Sequence, residues 1–289
     1  MNHKTFSERL MEPLFLLSAA VSIASVVMIC VFLFASGLPA IAEIGPLEFL
    51  FGQRWKPVDV PPSFGILSMI VGTLYVTGGA IVLGVPVGIL CAIFCACFCP
   101  KKLHKVIGPA VGLLAGIPSI IYGFFGMQLV VPFVRTHFGG NGFSILSAAI
   151  ILGIMILPTI ISISESSLRA VDPSYLEAAL GLGATYEEAV FRVVLPAAKS
   201  GVLTSIILGI GRAAGETMAV VMVAGGAVMP LDKIELLKPI RTLTANIVTE
   251  MSYSSGLHTD ALIATGVVLF AFIILLNLLL GVLRAKKEG

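Results

Sequence analysis

The chain has 289 residues, of which 57% are hydrophobic and 12% are charged, whereas a soluble domain carries about 25% charged residues. Its mean hydropathy is +1.05, and several apolar runs exceed the roughly 18 residues that indicate a membrane-spanning helix. The net charge of +2 is too small to indicate a nucleic-acid partner. We therefore predict an all-α polytopic membrane protein that contacts lipid and binds no nucleic acid.

Six apolar segments predict six transmembrane helices. The first is too long for the apolar region of a cleaved signal peptide, so we interpret it as a span that follows a tail at 1–13. An external loop at 37–65 comes next, then a helical domain at 66–284 and a short tail at 285–289. The predicted spans lie at 14–36, 66–98, 106–134, 144–164, 201–229 and 261–283.

Prolines and glycines refine the second and third segments. Pro86 and Pro118 predict kinks, because proline cannot donate a helical hydrogen bond. Gly84 and Gly88 are four residues apart, a spacing that lets a neighbouring helix approach closely. The same spacing recurs in the third segment, at Gly108, Gly112 and Gly116. We predict helix packing at both sets of glycines.

The five cysteines all lie in or beside predicted spans. A metal site would need help from histidine or carboxylate side chains, which the sequence does not place beside them. We interpret them as small polarizable packing residues and predict no metal site. They are Cys30, Cys91, Cys95, Cys97 and Cys99.

Positive charge predicts the orientation of the spans. Eleven of the 18 Lys and Arg residues lie on the side of the two termini, six lie on the opposite side, and Arg212 lies inside a span. The bias is clearest in the short loop with Lys101, Lys102 and Lys105. Because cytoplasmic loops carry the excess of Lys and Arg, we expect both termini in the cytoplasm.

The long cytoplasmic loop before the fifth span predicts two short helices. Asp172 can cap the first helix, which Gly181 or Gly183 can end. Thr185 can begin the second, with Glu188 three residues later completing a capping box. We expect both helices to lie against the membrane.

Part of this loop resembles the EAA loop of ABC importer permeases. The matching residues keep the spacing of that motif, with Val193 where isoleucine is usual: Glu177, Ala178, Ala179, Gly183, Leu195 and Pro196. The resemblance implies the type I importer permease fold in the inner membrane. It also implies that the first short helix docks on a cytoplasmic ATPase.

The chain contains no Gly-Lys dipeptide, so it has no phosphate-binding loop of the G-x-x-x-x-G-K-[ST] type. We therefore expect ATP and Mg²⁺ to bind a separate ATPase subunit and no cofactor to bind this chain. An ordinary surface helical hairpin remains the alternative interpretation of the loop.

Two ionisable residues lie in the predicted fifth span. Arg212 and Glu216 are four residues apart, which predicts one helix face and an ion pair. Each costs a few kcal/mol in hydrocarbon, so we expect them to face the bundle interior or a water-filled path. A guanidinium suits an oxyanion, and a carboxylate can accept the proton that phosphate retains and sulfate lacks. A purely structural pair stays open.

The run 211–220 resembles the fifth span of phosphate importer permeases, and Met218 with Ala219 favours the PstC type. The segment 115–123 resembles the third-span motif of that family, and Trp55 and Pro57 match its first external loop. Gly226 departs from the family, where asparagine is expected. The resemblance implies phosphate import with a PstA-type second permease, a PstB-type ATPase dimer and a PstS-type periplasmic phosphate-binding protein.

Three hydroxyl residues complete the predicted substrate path. Ser119, Tyr122 and Thr217 lie near the prolines and charges of the spans, where they can line the path or satisfy free backbone groups. The last external loop, 230–260, reads as a solvated segment or, by resemblance, as a docking surface for the binding protein.

Three other functions stay open. A permease for sulfate, molybdate or phosphonate shares the same features. An intramembrane enzyme is disfavoured, because the chain has neither H-E-x-x-H nor G-x-S-x-G. A secondary transporter leaves the EAA-like loop without a purpose.

Overall fold

The computed structural model describes residues 6–288, without the side chains at 6–10, 12, 279–280 and 282–288. Residues 1–5 of the predicted N-terminal tail and Gly289 of the predicted C-terminal tail lie outside the described residues. Most of the described chain is helical, as predicted.

Fourteen α-helices and one short hairpin follow one another in the described chain. The hairpin pairs Trp55 with Phe64 and Lys56 with Ser63 in antiparallel register. The elements are α1 (Phe6–Ile44), α2 (Pro46–Phe51), β1 (Trp55–Lys56), β2 (Ser63–Phe64), α3 (Leu67–Ile93), α4 (Lys101–Gly116), α5 (Ser119–Phe125), α6 (Val131–Phe138), α7 (Ile145–Arg169), α8 (Pro173–Gly181), α9 (Tyr186–Ala189), α10 (Leu195–Ala197), α11 (Lys199–Gly215), α12 (Met218–Val223), α13 (Leu243–Glu250) and α14 (Leu257–Glu288).

Five helical stretches within residues 6–288 are long and apolar enough to cross a membrane, and there is a sixth if a pair of helices bent by 69° is counted as one span. The bend separates Tyr186–Ala197 from Lys199–Gly215. The other five stretches are Pro13–Ile44, Leu67–Phe98, Ser119–Phe138, Ile145–Arg169 and Leu257–Leu278. The five stretches overlap predicted spans one to four and six, and the bent pair overlaps the predicted fifth span only at 201–215.

Several span boundaries differ from the prediction. Helix α1 begins at Phe6 and continues to Ile44, so it takes in part of the predicted tail and part of the predicted external loop. The predicted third span is divided, because α4 ends at Gly116 and α5 begins at Ser119. Pro118 therefore lies where the helix of the third span is interrupted, whereas α3 continues through Pro86.

Three π-helical turns interrupt the helices, each closed by a hydrogen bond to a carbonyl five residues earlier. In each case a proline comes two residues after the turn ends. A proline has no N–H, and its ring clashes with the carbonyl four residues before it, so the wider turn accommodates it. The turns are Phe94–Phe98, Gly126–Val130 and Val190–Val194, and their prolines are Pro100, Pro132 and Pro196.

The core lies where α3 packs against α7, which buries residues such as Ile156 and Ile160 completely. A Cβ atom at Gly84 would lie 2.8 Å from the Gly153 carbonyl oxygen, and one at Gly88 would lie 2.8 Å from Ile160 Cγ2. These two glycines therefore permit the close helix contact that was predicted.

The predicted contact at the glycines of α4 is absent from the described chain. A Cβ atom at Gly112 or Gly116 would meet nothing within 4 Å, and one at Gly108 would meet only His104. None of the α4 residues is buried. The three glycines do lie in one helix at four-residue spacing, but no other described part of this chain covers their face.

We expect Gly84→Ala to lower the free energy of unfolding by about 1–3 kcal/mol, the usual cost of overpacking. The added methyl group would meet a backbone carbonyl that cannot rotate away. Gly78→Ala is the matched control on the same helix, because a Cβ atom there has nothing within 4 Å. Thermal unfolding of the detergent-purified variants measures the difference, and equal midpoints for the two variants would contradict it.

Candidate functional site

The fifth span is broken in the middle of the polar run 211–217. Helix α11 ends at Gly215, Glu216 adopts an extended conformation (φ −70°, ψ 134°), and α12 begins at Met218. The Glu216 carboxylate accepts a hydrogen bond from the Ala219 N–H at 3.3 Å. It thereby satisfies one of the N–H groups that the first turn of α12 leaves free.

The predicted ion pair between Arg212 and Glu216 is wrong in this structure. The two side chains cannot share a helix face, because the helix that holds Arg212 ends before Glu216. The ion pairs among the described residues do not include these two. The four-residue spacing predicted a shared helix face, but this inference holds only where the helix is continuous.

Arg212 faces helix α7 and has no acidic partner among the described residues. Its Nη1 atom lies 3.4 Å from the Thr159 hydroxyl. Farther along the same pair of helices, the hydroxyls of Ser164 and Ser205 are 2.7 Å apart and buried. A half-buried guanidinium with only a hydroxyl contact can still receive an anion.

The predicted hydroxyl residues occupy different positions around the breaks. Tyr122 is buried, and its hydroxyl donates to the Leu114 carbonyl at 2.8 Å. It therefore satisfies a carbonyl in the last turn of α4, one of the two roles considered for it. Ser119 is the half-buried first residue of α5, and Thr217 lies half-buried in the break between α11 and α12.

Helix α13 contacts the break in the fifth span. Its Thr244 hydroxyl donates to the Glu216 carbonyl at 2.9 Å. The Leu243 N–H donates to the Thr73 hydroxyl on α3 at 3.1 Å. The first turn of α13 is thus joined both to the broken fifth span and to the second span.

A buried polar cluster anchors the other end of α13. The Glu250 carboxylate accepts hydrogen bonds from Trp55 Nε1 at 2.7 Å and Arg241 Nη1 at 2.5 Å, and contacts His258 Nε2 at 2.9 Å. Arg241 also donates to Asn246 Oδ1 at 3.0 Å. This cluster ties the hairpin, α13 and the start of α14 together.

The interpretation of 230–260 as a solvated loop is therefore wrong for its second half. Thr242 caps α13 through the Ala245 N–H, and Glu250 is 6% exposed. Asn246 and Glu250 are four residues apart on one face of this helix, a signal that could have revealed the buried face. Gly226 takes part in a polar contact through its backbone, because its carbonyl accepts from Arg241 Nε at 2.8 Å.

The loop between α7 and α11 has the two short helices that were predicted. The Asp172 carboxylate accepts from the Ser174 N–H at 2.8 Å and caps α8. This hydrogen bond lowers the pKa of Asp172, so the cap is intact at neutral pH and is lost in acid. Thr185 and Glu188 form the reciprocal capping box at the start of α9.

The EAA-like residues of this loop divide into exposed and packed positions. Glu177 and Ala178 are exposed, whereas Ala179 is 8% exposed. Gly183 has a φ of 91°, a conformation that glycine adopts without strain. Leu195 packs partly against the cytoplasmic core, and Pro196 is exposed. The exposed face of α8 is thus free to meet another protein.

Two contacts tie this loop to the end of α3, and the sequence analysis missed both. The Tyr186 hydroxyl donates to the Cys97 carbonyl at 2.7 Å, and Arg169 Nη2 donates to the Cys95 carbonyl at 2.7 Å. Arg169 and His104 both contact Glu165 Oε1, at 2.9 Å and 2.6 Å. Proline at position 100 was the available signal, since it has no N–H to donate to a carbonyl in the last turn of this helix.

The chain matches the protein family described as binding-protein-dependent transport system inner membrane components over residues 84–288. It is 38% identical over 269 residues to the phosphate transport system permease protein PstC of Mesorhizobium japonicum, covering 86% of this chain and 81% of that protein. It is 35% identical over 274 residues to the probable ABC transporter permease protein YqgH of Bacillus subtilis, covering 93% and 88%.

Solved structures show the same fold at lower identity. A bacterial ABC transporter that imports the acidic polysaccharide alginate matches with a TM-score of 0.60 and 16% identity, covering 96% of this chain and 99% of that chain. The methionine transporter MetNI in an inward-facing form matches with a TM-score of 0.61 and 20% identity, covering 77% and 95%. The prediction of an importer permease fold is confirmed.

We expect Glu250→Gln to lower the free energy of unfolding by about 3–5 kcal/mol, because it leaves the largely buried Arg241 without a counter-charge. The measurement is thermal unfolding followed by the fluorescence of Trp55, the single tryptophan of the chain. Glu235→Gln is the matched control, since its pair with Lys238 is exposed and is worth at most about 1 kcal/mol. Equal losses in the two variants would show that the cluster does not hold the outer side together.

Proposed function

Because the chain belongs to the family of binding-protein-dependent transport system inner membrane components, we propose that it is the permease subunit of an ATP-driven importer of inorganic phosphate. The observation that carries this proposal is Arg212, a guanidinium in a membrane-spanning segment without an acidic partner among the described residues. The phosphate permease relatives support the choice of substrate. The protein is a transport subunit and not an enzyme.

The chemistry of Arg212 favours an oxyanion over a neutral solute. A guanidinium offers several N–H donors in a plane that match the oxygen atoms of phosphate. The break after Gly215 places irregular backbone at membrane depth, which is tolerated where it is buried in protein or lines a path. One hydroxyl contact to Thr159 holds the arginine weakly enough for an anion to bind and leave.

Glu216, at the break, provides a second basis for selecting the anion. Its carboxylate can accept a hydrogen bond from phosphate, which keeps a proton near neutral pH, whereas sulfate has none to donate. Its side chain also caps α12, so the acceptor is held in place beside the path. Ser119 and Thr217 are the hydroxyl groups proposed to line the rest of that path.

The proposed mechanism is alternating access. ATP and Mg²⁺ bind a separate ATPase dimer, whose movement reaches this chain through the exposed face of α8 with Glu177 and Ala178. The central path then opens outward and accepts phosphate from a periplasmic binding protein. An alginate importer of the same fold was solved with its periplasmic protein bound, which supports this order of partners. A second homologous permease completes the path, and both termini face the cytoplasm.

We expect Arg212→Gln to lower phosphate uptake about tenfold or more, since a hydrogen bond to a charged group is worth about 1.5–3 kcal/mol. We expect Glu216→Gln, which keeps an acceptor for the Ala219 N–H, to lower the preference for phosphate over sulfate. ATP-driven uptake of both labelled anions into proteoliposomes containing the assembled complex measures these changes.

Glu235→Gln, on the exposed outer surface, is the control for this experiment. If the Glu216→Gln complex keeps both its phosphate uptake and its preference for phosphate, the proposed role of the carboxylate fails. Preferred uptake of sulfate, molybdate or phosphonate by the unmodified complex would instead identify an importer of another oxyanion.

A further inference from the structure

The cytoplasmic end of α3 has two carbonyl groups that its own helix cannot satisfy. The turn Phe94–Phe98 is π-helical, and the Cys99 N–H donates to the Phe94 carbonyl at 2.7 Å. The Cys95 carbonyl therefore loses Cys99 as its usual donor, and the next residue, Pro100, has no N–H. Cys97 lies in the last turn, where helix carbonyls also lack donors within the helix.

Both carbonyls instead receive hydrogen bonds from the cytoplasmic loop and its approach. The Tyr186 hydroxyl at the start of α9 bonds Cys97, and Arg169 at the end of α7 bonds Cys95. The ring of Tyr186 also packs edge-on against Phe98, with ring centroids 5.4 Å apart. A buried carbonyl without a hydrogen bond costs free energy. The hydrogen bonds from Tyr186 and Arg169 therefore stabilise the position of the end of α3.

Arg169 is itself held in place by a neighbouring carboxylate. Glu165 Oε1 accepts from Arg169 Nε at 2.9 Å and contacts His104 Nε2 at 2.6 Å. Glu165 lies on α7 and His104 on α4, so the guanidinium is fixed from two helices. A fixed donor transmits a displacement of its own helix better than a mobile one.

We propose that Tyr186 and Arg169 are positioning residues that carry the movement of the ATPase-docking loop into α3. This inference rests on the proposed function, because it presumes that an ATPase moves α8 and α9. A short turn that contains Gly183 connects the end of α8 to Tyr186, the first residue of α9. A displacement of α8 therefore pulls on the Cys97 carbonyl through Tyr186.

Helix α3 then conducts that displacement to the outer side. It packs along α7 through Gly84 and Gly88, and at its other end Thr73 accepts the Leu243 N–H of α13. Helix α13 in turn holds the Glu216 carbonyl at the break of the fifth span. One continuous set of contacts thus joins the cytoplasmic loop to the outer closure beside the path.

The test uses the complete importer in proteoliposomes and the variant Tyr186→Phe, which keeps the ring contact with Phe98 and removes only the hydroxyl. We expect the ATP hydrolysed per phosphate imported to rise about fivefold, the factor that one lost hydrogen bond supports, with the hydrolysis rate retained. Tyr253→Phe is the matched control on the outer surface. An unchanged ratio in Tyr186→Phe overturns the inference.

A second readout does not depend on the transported anion. In a chain whose other cysteines are replaced by alanine, Cys99 reports on the end of α3 through its rate of labelling by a maleimide. We expect that rate to change between the nucleotide-free and ADP-vanadate states with Tyr186 present, and to change much less with Tyr186→Phe or Arg169→Gln. The same change in all three chains, or no change in any, overturns the inference. Failure to import phosphate with this labelling pattern intact counts against the proposed substrate alone.

Discussion

The structure depends on how one positive charge is kept inside a membrane-spanning bundle. Arg212 lies on α11 with a hydroxyl as its contact and without an acidic partner in the described chain. A charged side chain in hydrocarbon costs at least a few kcal/mol, and here no internal carboxylate offsets that cost. The proposal that water or a transported anion solvates the guanidinium is the physical reason to place a path beside it.

A second constraint shapes the backbone around this charge. Backbone groups at membrane depth must find partners within the protein, and two of the helix breaks show such a partner. The Tyr122 hydroxyl donates to the Leu114 carbonyl beside the break at Pro118, and the Glu216 carboxylate accepts from the Ala219 N–H of α12. Each contact satisfies one backbone group that the break leaves without a partner in its own helix.

Much of the fold could be predicted from the sequence, because apolar runs and caps are local signals. The six spans, the two short helices of the loop and the capping box of Thr185 and Glu188 all follow from composition and spacing over a few residues. The contact at Gly84 and Gly88 also followed from a four-residue repeat.

The predictions that were wrong concern features that depend on contacts between residues far apart in the sequence. The sequence has no proline that would predict the helix break between Arg212 and Glu216. The break is stabilised in part by Thr244, which is 28 residues from Glu216 in the sequence. Glu250 was taken for a solvated charge because its partners Trp55 and Arg241 come from other segments. Hydropathy and local spacing carry no information about such partners.

Accessibility at position 212 tests the central claim most directly. In a complex free of other cysteines, Arg212→Cys can be exposed to a small, positively charged thiol reagent in the nucleotide-free and ADP-vanadate states. The account predicts modification in at least one of these states. A thiol that stays unmodified in both states would place Arg212 in a dry contact and contradict the account.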